Sequence, residues 1–238
     1  MKKTTPQQSP CEHCNSMHQS IFCNLKPKEL DDLGQHKTIN IYKKNQVIFH
    51  EGNRPLGLYC IKKGKVKIFK TGIDGREQIV RLAKNGNLIG YRSFLGEEFY
   101  SASASAIEDT ELCFIDKNDF FGVLKNNDKL SWKLIQMLTT ELRDAENLVR
   151  DMAQKSVRER LAEVLLILKE KFGPDKDDPD VLNCKMSREE LASFVGTATE
   201  TLIRLLSDFK QEKLIETKGK NIRLLDVSAL AEVANLDY

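Results

Sequence analysis

The chain has 238 residues, 40% of them hydrophobic and 30% charged, which suits a folded protein of about two domains and excludes a disordered one. No run of 18 apolar residues occurs and the polar stretch Met1–Pro10 does not read as a signal peptide, so a cytoplasmic protein without a membrane span is expected. The net charge of +2 does not announce nucleic-acid binding, so any such contact must come from a local patch.

Residues 1–24 hold Cys11, Cys14 and Cys23, three of the six cysteines. A reducing cytoplasm disfavours disulfides, so this crowding points to a metal or redox role. Residues 25–127 are expected to form a β-domain. Its short strands run from Ile39 to about Ile115, with examples at Gln46–His50, Gly57–Ile61, Lys65–Phe69, Gln78–Leu82 and Glu111–Ile115. Several alternate apolar with polar residues, and glycines separate them at the spacing of a small barrel. Asp74-Gly75 marks a hairpin turn.

The pattern changes near Asp128. Ile135, Leu138, Leu142, Ala145, Val149 and Met152 follow a 3-4-3-4-3 spacing, which predicts one long helix over 128–154. Packing on the chain's own barrel is one use of that seam. A homodimer interface is favoured, because the helix is long and the seam narrow. Glu141, Asp144 and Asp151 are expected beside it as mutually repelling charges.

Residues 155–238 read as a winged helix-turn-helix. Ser156–Phe172 is amphipathic. Ser187 and Glu190 form a capping box, and Gly196 stands at the turn. In the next helix Leu202, Leu205, Leu206 and Phe209 face the core, which puts Thr199, Glu200, Ile203 and Arg204 on the outer face near its N-terminus. Arg204 can donate two hydrogen bonds to guanine, Glu200 can accept one from cytosine, and Ile203 can touch a thymine methyl. Glu200 and Arg204 could equally be a surface ion pair at i, i+4 spacing. Lys218-Gly-Lys220 forms the tip of a β-wing suited to phosphate. This third of the chain has 14 basic against 16 acidic residues, but Arg204 to Arg223 holds six basic and three acidic.

From about Cys11 to Val233 these features resemble the CRP/FNR superfamily of bacterial transcription regulators. The resemblance is carried by Gly196–Leu206, Lys218–Lys220, the barrel glycines and Val157–Ala162. It implies an α+β fold: an N-terminal β-roll like cyclic-nucleotide-binding barrels, a dimer helix, and a C-terminal winged helix-turn-helix. It also implies a homodimer on palindromic double-stranded promoter DNA, contacting RNA polymerase, with Glu200 and Arg204 reading bases. The cyclic-nucleotide binders of the superfamily carry an acidic residue after a cassette glycine, then an arginine for the phosphate. Here Gly90 is followed by Tyr91 and no arginine lies near Ser101 or Ser103, so cAMP is not expected. Arg92 lies too early for that role and reads as a surface charge. Thr199 and Ile203 depart from the familiar residues, which leaves the outer bases of the half-site open.

The oxygen-sensing branch of the superfamily holds an iron–sulfur cluster on three N-terminal cysteines and one central cysteine. By that resemblance Cys11, Cys14, Cys23 and Cys113 would hold a [4Fe-4S] cluster and give an oxygen or redox signal. The residues alone leave other readings: a zinc site of Cys11, Cys14, His18 and Cys23, a thiol switch, or no ligand at all. Cys60 and Cys184 read as core residues. An enzyme is not expected, since all four histidines precede Glu51 and no nucleophile elbow or P-loop occurs. A ligand-binding subunit acting only through protein contacts is the alternative class.

Overall fold

The computed structural model describes residues 14–175 and 177–236. They form two compact units, one of residues before 71 together with 80–142, the other of 71–79 together with 143–238.

Among the described residues the first unit begins with two short 3-10 turns, Met17–Gln19 and Ile21–Asn24, and helix α1, Pro27–Gly34. Eight strands follow: β1 (Thr38–Tyr42), β2 (Val47–Phe49), β3 (Gly57–Lys63), β4 (Lys65–Thr71), β5 (Glu77–Lys84), β6 (Leu88–Ile89), β7 (Ser103–Ala106) and β8 (Thr110–Asp116). They make two four-stranded sheets, ordered β1-β8-β3-β6 and β2-β7-β4-β5. One core cluster joins both sheets through Phe49, Ile61, Val66, Ala83, Ile89 and Leu112. Two glycines show why these strands can lie so close. A methyl on Gly57 would meet the Ile115 carbonyl at 2.1 Å, and one on Gly64 the Thr110 hydroxyl at 2.3 Å.

Helices α2 (Tyr91–Leu95) and α3 (Lys117–Lys125) build a second cluster with Phe94, Phe120 and Val123. The same cluster takes in Phe22 of the N-terminal segment and Leu130 and Leu134 of the long helix α4 (Asp128–Gln154). At 27 residues, α4 is roughly 40 Å long.

The second unit contains the C-terminal end of α4 and α5 (Val157–Phe172), α6 (Arg188–Val195), α7 (Thr199–Gln211), the hairpin β9 (Ile215–Lys218) and β10 (Asn221–Leu224), and α8 (Val227–Val233). Each of α5, α6 and α8 starts on a side-chain cap, from Ser156, Ser187 and Asp226. The first two are full capping boxes with Glu159 and Glu190, each satisfying two backbone N–H groups at a helix start. Leu161, Leu165, Leu191, Val195, Leu202, Phe209 and Leu230 are all buried.

The tip 71–79 between β4 and β5 groups with 143–238, where the Ser193 hydroxyl of α6 donates to the Glu77 carbonyl and accepts from the Ile79 N–H.

Candidate nucleic-acid interface

Helix α7 is amphipathic because its apolar residues recur at helical spacing. Leu202, Leu205, Leu206 and Phe209 are buried, and by the same geometry Glu200, Ile203 and Arg204 point away from them and are exposed. Ile203 is 52% exposed. Thr199 opens the helix and is half-buried. Among the described residues, no ion pair or side-chain hydrogen bond engages Glu200 or Arg204, so the expected alternative of a surface i, i+4 pair is not formed.

The start of α7 also differs from that of its neighbours. Its N-cap is Ala198, which has no side-chain oxygen to accept from the first turn. An alanine there costs about 1 kcal/mol against serine or aspartate. It leaves N–H groups and the positive end of the helix dipole available to an anion.

The wing comes from a tight hairpin in which Lys218 pairs with Asn221 and Gly219 turns the chain at φ +59°. Lys218 and Lys220 are exposed. The Arg188 guanidinium donates to the Gly219 carbonyl at 3.1 Å and ties the wing tip to the start of α6. The basic patch is smaller than the sequence count suggests. Arg223 is occupied by Asp178, by Asp180 at 3.9 Å and by Glu216 at 3.6 Å.

The turn between α6 and α7 is held from outside the motif. Gly196 adopts φ +74°, and a methyl there would meet the Met152 sulfur at 2.8 Å. Arg160 of α5 donates to three carbonyls: Nε to Val195 at 2.9 Å, Nη2 to Gly196 at 3.2 Å and Nη1 to Lys155 at 2.7 Å. One guanidinium therefore fixes the turn that aims α7 and joins it to the segment ending α4. Sequence reasoning missed Arg160, Arg188 and Ser193, each of which has a partner more than 30 residues away.

Five of the side chains on α4 line one exposed apolar stripe. Ile135, Leu142, Ala145 and Val149 were anticipated; Trp132, 61% exposed, was not. Two anticipated seam residues are engaged elsewhere. Leu138 packs against the α2–α3 core cluster, and Met152 lies against Gly196. The expected row of repelling acids is also corrected. Of the three, only Asp144 is exposed. Glu141 pairs with Arg81 and Arg92, and buried Asp151 pairs with Arg150 and Lys155. Arg92 is accordingly no simple surface charge.

Of the expected metal ligands, Cys11 lies outside the described residues. Cys14 is half-buried, Cys23 exposed and Cys113 buried. Lys133 of α4 donates to the Cys23 sulfur at 3.1 Å, while Cys113 sits opposite Cys60 and Ile39 in the β-ladder. His18 contacts Gln19 at 3.2 Å. Among the described residues, no three of His, Cys, Asp and Glu gather as a metal site.

Two family models match the chain: the cyclic nucleotide-binding domain over residues 39–127 and the Crp-like helix-turn-helix domain over 159–233. The chain is 29% identical to the cyclic AMP receptor protein of Thermus thermophilus, over 90% of its own length and 96% of that protein's. It is 27% identical to the transcriptional activator protein FnrA of Stutzerimonas stutzeri, over 98% and 96%. Among solved structures it resembles FixK2 from Bradyrhizobium japonicum, with a TM-score of 0.74 at 26% identity, covering 85% of this chain and 98% of that one. No helix among the described residues is long and apolar enough to cross a membrane.

Proposed function

The chain is a DNA-binding transcription regulator of the Crp/Fnr type, and from that premise we propose how it reads DNA: as a homodimer that lays the start of α7 in the major groove of each half-site. The observation that carries this reading is the exposed, unpaired set Glu200, Ile203 and Arg204 beside an α7 start without a side-chain cap. Arg204 reads a guanine and Glu200 a cytosine, Ile203 and Thr199 meet neighbouring bases, and the α7 N-terminus with Lys218 and Lys220 takes phosphates. The exposed stripe Trp132, Ile135, Leu142, Ala145 and Val149 supports pairing of two α4 helices, which would place two reading heads on a palindromic promoter. The regulator then acts in the cytoplasm by contacting RNA polymerase. Selection of bound sequences from random duplexes tests this. A palindrome whose half-sites contain a guanine that Arg204→Ala no longer discriminates is the expected result. Selection of no common sequence would overturn the base-reading role.

For the signal, we propose an oxygen or redox input through an iron–sulfur cluster on Cys11, Cys14, Cys23 and Cys113, supported by three cysteines crowded at the N-terminus with a fourth on a central strand, and by similarity to FnrA. The described placement of Cys14, Cys23 and Cys113 does not itself gather them, so this reading requires the segment 14–24 to move. Purification without oxygen, followed by iron, sulfide and zinc analysis, decides it. Iron and sulfide lost on exposure to air are expected. Colourless protein after cluster reconstitution would exclude the cluster, and air-stable stoichiometric zinc would replace it with the Cys3His set including His18.

A further inference from the structure

Two cysteines face each other across a β-ladder of the first unit. In the sheet ordered β1-β8-β3-β6, Cys60 of β3 stands directly opposite Cys113 of β8. Side chains directly opposite in an antiparallel pair share one face of the sheet and are near neighbours there. The flanking residues show which face that is. Leu58 and Ile115, the next pair along the same face, belong to the core cluster of α2 and α3, and Cys60 packs against that cluster. Cys113 is buried and Cys60 half-buried, so a small solute reaches Cys60 first.

The hydrogen bonding of the ladder sets the distance between them. Ile61 donates its N–H to the Asn87 carbonyl at 3.0 Å, and its carbonyl accepts from the Gly86 N–H at 2.8 Å, so its backbone groups face the β6 side. Backbone direction alternates along a strand, which turns the N–H and carbonyl of Cys60 toward β8. Cys60 and Cys113 are therefore a hydrogen-bonded pair, with Cα atoms about 5.5 Å apart. A disulfide joins Cα atoms roughly 4.4–6.8 Å apart, so the span fits. Its Cβ atoms lie about 3.5–4.5 Å apart, closer than the roughly 4.5–5.5 Å of a cross-strand pair, so closing the bond draws the strands together. The register shifts between Ile61 and Lys63, so the ladder beside the pair is already bent rather than flat. A bond closed under such strain is readily reduced again, which suits a switch rather than a permanent staple.

We propose that Cys60 and Cys113 are a reversible redox pair that closes to a cross-strand disulfide under hydrogen peroxide. The Cys60 sulfur attacks one peroxide oxygen and the O–O bond breaks, giving a sulfenic acid and one water. The Cys113 sulfur then attacks the Cys60 sulfur, the S–O bond breaks, and the hydroxyl leaves as a second water with the thiol proton. Two thiols lose two electrons in all, and one peroxide becomes two waters. Dithiothreitol reverses the step by thiol–disulfide exchange. The bond clips together β3 and β8, the two inner strands of their sheet. It competes with any metal for Cys113, but it does not rest on the cluster reading and needs none of Cys11, Cys14 and Cys23.

Peptide mapping of the oxidised full chain tests the pair. The protein, stripped of metal with a chelator and fully reduced, is treated with hydrogen peroxide and quenched in acid. It is then alkylated in denaturant and digested for mass spectrometry. A linked peptide carrying Cys60 and Cys113 is expected, with alkylation lost at both positions together and regained after dithiothreitol. The link should persist when Cys11, Cys14 and Cys23 are all changed to serine, and disappear in Cys60→Ser. Cys113 linked to an N-terminal cysteine, either thiol driven to sulfinic acid without a link, or both left reduced while other cysteines oxidise would overturn the proposal. Iron and sulfide bound by protein that never forms the link would leave the cluster reading standing alone, and a link in protein that never binds iron would do the reverse. Circular dichroism reports folding, and should a variant not fold, the map of the wild-type chain decides alone.

Discussion

Glu141, Asp109 and Glu29 in the first unit and the reading face of the second handle charge in opposite ways. In the first, Glu141 is drawn inward and held by two arginines and a phenol, and the Asp109 and Glu29 carboxyls are lowered mainly by hydrogen bonds from Lys43 and Lys26. On the reading face of the second, Glu200, Arg204, Lys218 and Lys220 project from α7 and the wing with no partner among the described residues. A charge tied to another charge holds structure. One left facing water costs little there and keeps its full interaction for a ligand that brings its own charges, as a DNA duplex does. The same division runs along α4, where Glu141 is bound inward and the next residue, Leu142, is left bare.

The largest effect should follow from charging that bare stripe. Leu142→Glu would bury an uncompensated carboxylate in each half of a paired α4 interface, costing about 3–5 kcal/mol and shifting sedimentation from dimer to monomer. An unchanged dimer would move the interface elsewhere. Arg160→Ala should come next. Its three carbonyl partners would lose charge-assisted hydrogen bonds, lowering stability by about 2–4 kcal/mol, since bonds in one network do not simply add. Urea unfolding together with DNA titration checks this. Arg160→Lys should restore only part of the loss, because a point charge cannot reach all three carbonyls. Wild-type stability and affinity in Arg160→Ala would remove the residue's positioning role.

Arg204→Ala tests the free side of the comparison. Breaking no intramolecular pair, it should leave thermal stability nearly unchanged while costing about 1–3 kcal/mol at the guanine it reads. Equal loss on specific and non-specific duplexes would assign it to the backbone instead. The smallest effect should be that of Lys220→Ala: a uniform weakening of under about 1 kcal/mol, with the salt dependence of binding shallower by about one counterion. A sequence-dependent loss would mean that the wing reads bases.

Much of the fold was legible because it follows from local spacing. The α7 core face was set by apolar residues three and four apart, and the capping box of α6 by a serine and a glutamate three residues apart. Five of the strands showed in their patterning, with boundaries shifted by one or two residues. Strand β7 did not, because Ser103–Ala106 is buried at every position and shows no apolar–polar alternation. Helices α1 to α3 were also missed, because none of them is longer than nine residues.

What periodicity alone could determine was which side chains share a face: Leu202 with Phe209 inward, Glu200 with Arg204 outward, Ile135 with Leu142 along α4. What only the tertiary structure decided was which of those faces already has a partner. Leu138 belongs to the α4 seam by spacing, yet it packs on the barrel-unit core, and Met152 is spent on Gly196. Glu141 counted as a repelling charge until Arg81 and Arg92, 60 and 49 residues earlier in the chain, arrived beside it. The reason is physical. The helical repeat is a property of neighbouring peptide units, whereas neutralising a charge or filling the space above a glycine depends on what long-range folding brings within a few ångströms.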